Sequence, residues 1–184
     1  MRKLKLQVQM SIDTFVAGPN GEMDWMVWNW DQRLKDFVLT ITNPIDTILL
    51  GRNMVPGFID HWAKAAADSK NPDNEFAYLM DGAKKVVFTK SLAKSEWPRT
   101  TLAKGDIVEE VNNLKKQSGK DLIVYGGAKI VSSLITNNLI DEYYLFIKPT
   151  AIGNGMPIFS GKHNLKLQTS TAFDCGIVVL HYKP

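Results

Sequence analysis

The sequence is poor in the residues that staple, metallate or anchor a chain. Cys175 is the single cysteine among 184 residues, which excludes an intrachain disulfide and a cysteine-based zinc site and suits a reducing compartment. It reads as a small buried hydrophobe. His61, His163 and His181 are too dispersed for a metal-ligand spacing and no HExxH-like pattern occurs, so no metal is expected. No segment approaches the roughly 18 apolar residues of a membrane span, and the opening MRKLKLQVQM has basic residues without an apolar stretch behind them. A cytoplasmic protein with no membrane partner is expected. Charge of one sign is scarce too: 22 basic residues against 19 acidic give +3, and only Lys84-Lys85 and Lys115-Lys116 pair up. A nucleic-acid binder gathers its cations into a stripe, so no nucleic-acid partner is expected.

What is present is ordinary globular material, 45% hydrophobic and 22% charged. A chain of this length buries roughly 70% of its unfolded surface and forms one domain, here residues 1–184. Leu4, Leu6, Val8 and Met10 alternate with polar residues, as in a half-buried strand. The stretch from Ser11 to Trp30, with Gly18, Pro19, Asn20 and Gly21 and then Trp25, Trp28 and Trp30, reads as a long loop, a place where function often resides. Leu34, Phe37, Val38 and Ile41 recur with helical spacing, between Asp31 as a cap and Pro44 just beyond.

Thr47 to Leu50, Val86 to Phe88 and Leu122 to Tyr125 are short apolar runs of the kind buried on both faces, and Thr100 to Ala103 adds a short strand. Ala63 to Ala67 and Glu75 to Met80 favour helix on either side of Pro72 and Asp73. Ile107, Val111 and Leu114 mark another helix. The clearest unit is a strand ending at Tyr125, a Gly126-Gly127 turn, a helix packed through Ile130, Val131, Leu134 and Ile135, and a returning strand from Tyr143 to Lys148. Asp141-Glu142, just before it, reads as a polar edge or subunit contact. Lys166 to Thr171 and Ile177 to Tyr182 suggest an antiparallel hairpin. The pattern predicts an α/β fold: a doubly wound, mixed, mostly parallel sheet with helices on both faces and a C-terminal antiparallel hairpin.

Open α/β sheets bind ligands outside the carboxyl ends of their strands. Gly51-Arg52, Thr89-Lys90-Ser91 and Tyr125-Gly126-Gly127 all occupy such ends, and Ala17-Gly18 follows the first strand. Glycines let backbone N–H groups approach an anion at a helix N-terminus, although a Gly-Gly pair is equally a tight turn or a close helix-to-sheet contact. Arg52 and Lys90 supply charge suited to phosphate.

With these motifs in place, the chain resembles the dihydrofolate reductase superfamily, especially its bacterial branch similar to the reductase domain of riboflavin biosynthesis. The resemblance is carried by SIDTFVAGPNGEMDW, DTILLGRN, VVFTKS and LIVYGGAKIVSSLITNNLIDEYYLFIKPTAIGNGMPIF. It implies NADPH as hydride donor, a pterin-like, pyrimidine or related small-molecule acceptor, and a homodimer. It places Gly126, Gly127, Ala128 and Lys129 around the pyrophosphate, with Gly51 and Arg52 beside the phosphates, and counts Asn53 and Tyr125 among the cofactor contacts. Thr89, Lys90 and Ser91 would lie near the adenosine ribose and its 2′-phosphate, and Ala17, Gly18 and Asn20 over the nicotinamide. The family often writes threonine two residues after the Gly-Arg pair and then an aromatic-acidic pair, where this chain has Met54, Val55 and Pro56.

Dihydrofolate reductases also place an acid on the first helix. Spacing from Gly51 favours Asp36, but at about 100° per residue Asp36 lies about 150° from the centre of the apolar stripe and Asp31 about 70°. Asp31 is therefore the candidate catalytic acid, with a plain N-cap as its alternative. Trp25, Trp28 and Trp30 either stack on a flat ring or fill core. The expectation is an NADPH-dependent reductase of a C=N or C=O group; a non-catalytic nucleotide-binding protein and a flavin-binding reductase on the same fold are the alternatives.

Overall fold

In the computed structural model, which describes residues 1–26 and 28–184, the apolar runs become β1 (Leu4–Met10), β2 (Ile45–Gly51), β3 (Lys84–Phe88), β4 (Thr100–Ala103), β5 (Asp121–Val124) and β6 (Glu142–Ile147), followed by β7 (Lys166–Ala172) and β8 (Val178–Lys183). They form one sheet in the order β4-β3-β2-β5-β1-β6-β8-β7. The first six run parallel, β8 lies antiparallel to β6, and β7 antiparallel to β8. The mixed sheet and its C-terminal antiparallel pair are as the sequence pattern predicts.

Helices α1 (Gln32–Thr42), α2 (Val55–Ala67) and α3 (Asn74–Gly82) cover one face, and α4 (Ile107–Lys116) and α5 (Ala128–Thr136) the other. Each turns its apolar stripe inward: Leu34, Val38 and Ile41 from α1 meet Ile48, Leu50 and Ile123 of the sheet, while Ile130, Val131, Leu134 and Ile135 from α5 meet Leu6, Leu49 and Val124. Alternate residues of one strand thus feed two cores, as the pleat requires. The helix at Ala63 to Ala67 begins earlier than its alanines suggest, because Pro56 sits in its first turn, where a missing N–H costs nothing. Trp62 packs edge-on against Phe76 with ring centroids 5.0 Å apart, which joins α2 to α3.

Two expectations are corrected. The strand from Leu4 to Met10 is buried on both faces, since it runs between β5 and β6 at the centre of the sheet with α1 over its polar side; Lys5 and Gln7 are 5% and 3% exposed. The Lys5 ammonium survives there by reaching the Asp121 carboxylate at 3.3 Å and the Ile41 carbonyl at 3.3 Å. Asp141-Glu142 is likewise no edge, because β6 lies between β1 and β8. The Asp141 carboxylate accepts the Leu4 N–H at 2.6 Å and pairs with buried Lys115 at 2.6 Å.

Candidate cofactor and acceptor site

The carboxyl ends of β2, β3 and β5 lie side by side, so Gly51-Arg52, Thr89-Lys90-Ser91 and Tyr125-Gly126-Gly127 share one end of the sheet. Arg52 opens a 3₁₀ turn with Asn53 and Met54, and its guanidinium donates to the Ser91 hydroxyl, linking two of the predicted segments. The Thr89 hydroxyl accepts the N–H groups of Ser91 and Leu92, each at 3.2 Å, which fixes the turn after β3. Arg52, Asn53, Lys90 and Lys129 are exposed, Ala128 is half-buried and Thr89 is buried.

Gly127 caps α5 with φ of +83°, a conformation that costs glycine little and other residues much, and no side chain caps the helix. The first turn of α5 therefore presents unsatisfied N–H donors. A Cβ on Gly127 would meet the Met54 sulfur at 3.2 Å and Ile130 at 3.1 Å. Met54 thus lies over the glycine turn. A groove of about 590 Å³ runs beside the helix, lined by Ala128, Lys129, Ser132, Gly155, Met156 and Pro157.

The loop after β1 is bonded to the segment that forms the far wall of this groove. The Asp13 carboxylate accepts the N–H groups of Ile152 at 3.1 Å and Gly153 at 2.7 Å. Val16 and Ala17 exchange backbone bonds with Met156, at 3.0 and 2.8 Å. Gly155 is required by close approach, since a Cβ there would strike the Ala17 carbonyl. Ala17 and Gly18 are buried in this junction. Asn20 is turned back on its own loop, donating to the Glu22 carboxylate from its backbone at 2.9 Å and its side chain at 2.8 Å.

Asp31 is an N-cap: one carboxylate oxygen accepts the Leu34 N–H at 2.8 Å and the other the Cys175 N–H at 3.0 Å. The Leu34 bond leads in holding its pKa below the usual carboxylate value, so it is ionised at neutral pH, the wrong state for a proton donor. Asp36 is exposed and takes a bond from Gln32, as the helical wheel requires. Trp30 joins the core beside Phe146, centroids 6.3 Å apart, while Trp28 packs on Trp30 yet stays 61% exposed.

The sheet face under α1 and α2 carries polar groups that sequence patterns did not single out. Among the described residues, buried atoms without hydrogen-bond partners include the Gln7 and Gln9 Oε1 atoms on β1, the Trp30 Nε1 before α1 and the Tyr125 hydroxyl after β5. Each such orphan costs about 1–3 kcal/mol unless something pairs with it. Tyr125 stacks on Phe58 at 5.9 Å, and burial raises its phenol pKa steeply. Lys148, two residues beyond Phe146 on the same face, is 1% exposed, with its ammonium 4.9 Å from the Trp28 ring centre and 5.5 Å from that of Trp30. Its only trace in the sequence is a lysine closing the apolar run Tyr143 to Ile147.

Comparison with known proteins places this arrangement. An uncharacterized Bacillus subtilis (strain 168) protein, YyaP, is 34% identical over 186 residues, spanning 98% of this chain and 94% of the relative. The structure of a Thermotoga maritima diaminohydroxyphosphoribosylaminopyrimidine deaminase/5-amino-6-(5-phosphoribosylamino)uracil reductase superposes with a TM-score of 0.68 at 20% identity, over all of this chain and 56% of that longer one. A pyrimidine reductase-like protein of Corynebacterium diphtheriae gives 0.64 at 13% identity, over 99% and 91% of the two chains. These likenesses establish the fold, and residues 2–179 match the family itself. The chain belongs to the RibD C-terminal domain family.

Proposed function

We propose that the protein is an NADPH-dependent reductase that delivers hydride to a C=N or C=O carbon of a pterin-like, pyrimidine or related small heterocycle. The observation that carries this reading is the convergence, at one end of the sheet, of an uncapped helix N-terminus behind Gly127 with the Arg52–Ser91 pair. The donor set fits the cofactor: the α5 N-terminus behind Gly127 has no side-chain cap among the described residues, and Arg52 and Lys90, after β2 and β3, and Lys129, in the first turn of α5, are exposed cations at the same end of the sheet. Gly126, Gly127, Ala128 and Lys129 would hold the pyrophosphate. Gly51, Arg52 and Asn53 would lie beside the phosphates, and Thr89, Lys90 and Ser91 at the 2′-phosphate. Ala17, Gly18, Asn20 and Tyr125 would flank the nicotinamide end. When bound, the cofactor supplies the hydride, and the chain supplies orientation and exclusion of water.

The orphaned polar atoms of Gln7, Gln9, Trp30 and Tyr125 mark the acceptor side, because a ligand with matching donors and acceptors relieves their cost. Micromolar affinity requires about 8 kcal/mol; a helix N-terminus contributes about 1–2 kcal/mol and a charge-assisted hydrogen bond about 1.5–3 kcal/mol. The cations therefore decide the affinity. Titration of NADPH, followed by quenching of tryptophan emission, is expected to saturate, and Arg52→Ala is expected to raise Kd by about tenfold or more. No saturable signal at millimolar NADPH rejects the reading. The cover that Met54 places over the glycines favours, as second reading, a nucleotide-binding protein without turnover; saturable binding with no acceptor-dependent oxidation of NADPH selects it.

A further inference from the structure

We propose that Lys148 is the proton donor of this reduction, passing a proton from its ammonium to the acceptor nitrogen or oxygen as the neighbouring carbon receives hydride. The inference rests on the reductase reading. The Lys148 N–H donates to the Met10 carbonyl at 2.7 Å, which ties the carboxyl end of β6 to that of β1, where the cofactor loop departs. Its side chain shares a face with Phe146, whose register partner on β1 is Gln9, so the ammonium lies on the side that carries the orphaned Gln9 and Trp30 atoms. Trp28 covers it, and the covering ring is itself at the surface. A flat acceptor that displaces this indole takes its place over the cation, an exchange of one ring for another.

A buried lysine is a poor structural choice, since an apolar side chain of similar volume is usually no less stable. It is a good proton donor. Burial lowers its pKa to about 8, so both protonation states are accessible near neutrality. Among the described residues, the groups that face it include the Cys175 thiol on the turn before β8, the indoles of Trp28 and Trp30, and uncharged Gln9 on β1. Asp31, next to Trp30, spends its carboxylate on Leu34 and Cys175, and the Arg33 guanidinium lies over Phe173 at 5.5 Å. In the step, a C–H bond forms with hydride from the reduced nicotinamide, the C=N π pair moves to nitrogen, and an N–H bond forms with the Lys148 proton. The neutral amine regains a proton from water.

The test uses Lys148→Met and Lys148→Arg in the full chain, with 7,8-dihydropterin and 1-pyrroline as C=N acceptors. Near-UV circular dichroism and NADPH affinity are expected to match the wild type within about twofold, while single-turnover oxidation of NADPH falls by about 10²-fold or more in both variants. Arginine keeps the charge but does not release a proton, so rescue by Lys148→Arg overturns the proposal in favour of a structural charge. Without NADPH, wild-type tryptophan emission is expected to titrate near pH 8, and the titration to vanish in Lys148→Met; its persistence means another group is responsible. Undiminished turnover in Lys148→Met with normal NADPH binding rejects Lys148 alone. Failure of the wild type to bind NADPH, or to reduce either acceptor, rejects the reductase reading and this role together.

Discussion

Asp31 and Lys148 illustrate opposite uses of charge at single residues. Asp31 accepts two backbone N–H bonds, from Leu34 and Cys175, and these favour its ionised form. A carboxylate with a lowered folded pKa contributes stability that is complete above its unfolded value of 3.8 and is lost as pH falls through the folded one. Asp31→Ala is therefore expected to lower Tm at pH 7, with the gap to wild type closing below about pH 3.8; a gap that persists at pH 2 assigns the loss to packing. Lys148 has the reverse sign. Its folded pKa is lowered from 10.5 to about 8, so the charged form penalises the fold at neutral pH, and the penalty fades as pH rises from about 8 to 10.5. Urea unfolding is expected to find wild-type stability rising relative to that of Lys148→Met as pH goes from about 8 to 10.5. A difference that stays constant over that interval contradicts the cost assigned to the buried ammonium.

At the scale of elements, the stripes of α1 and α5 and the Gly126-Gly127 turn were legible in the sequence because each depends on spacing along one segment. What lay over that turn was not, since Met54 reaches it only because β2 and β5 are neighbours in the sheet. The burial of Gln7, Gln9 and Lys148 was hidden for the same reason: alternation along β1 reveals which residues share a face, and the insertion of β1 between β5 and β6 decides that both faces are covered. The Met54 contact has a measurable consequence. If pyrophosphate occupies the N-terminus of α5, the thioether must move away from the glycines and give up its packing on binding. Met54→Ala removes that cost, and NADPH is expected to bind about three- to tenfold tighter, roughly 1 kcal/mol. Isothermal titration with the folded variant measures this, and weaker binding argues that phosphates do not pass this turn.

Across the whole molecule, the two ends of the parallel sheet divide the work. The carboxyl end holds the ligand loops and the orphaned Gln9 and Tyr125 atoms; the amino end holds a charge network around Glu142, which is 6% exposed. Burial pushes the Glu142 pKa up, but bonds from the Lys3 ammonium at 2.8 Å and the Tyr144 hydroxyl at 2.9 Å, with Lys183 at 3.6 Å, bring it below the usual value. His181 stacks on Tyr144 at 4.3 Å, and burial keeps its own pKa low, so it adds little charge near neutrality. Removing one partner from a buried charge network leaves the others uncompensated, at about 3–5 kcal/mol for full burial. Lys3 and Lys183 reach solvent here, so about 2 kcal/mol is the expected loss for Glu142→Gln at pH 7, shrinking as pH falls below 4.5 and the wild-type carboxylate takes up its proton. Because β1 and β6 carry this network at one end and Gln9 and Lys148 at the other, a rigid sheet is expected to leave NADPH affinity unchanged in the folded variant. Denaturant unfolding and NADPH titration on the same preparation measure both quantities, and a parallel fall in affinity means that the amino-end network tunes the site through the strands.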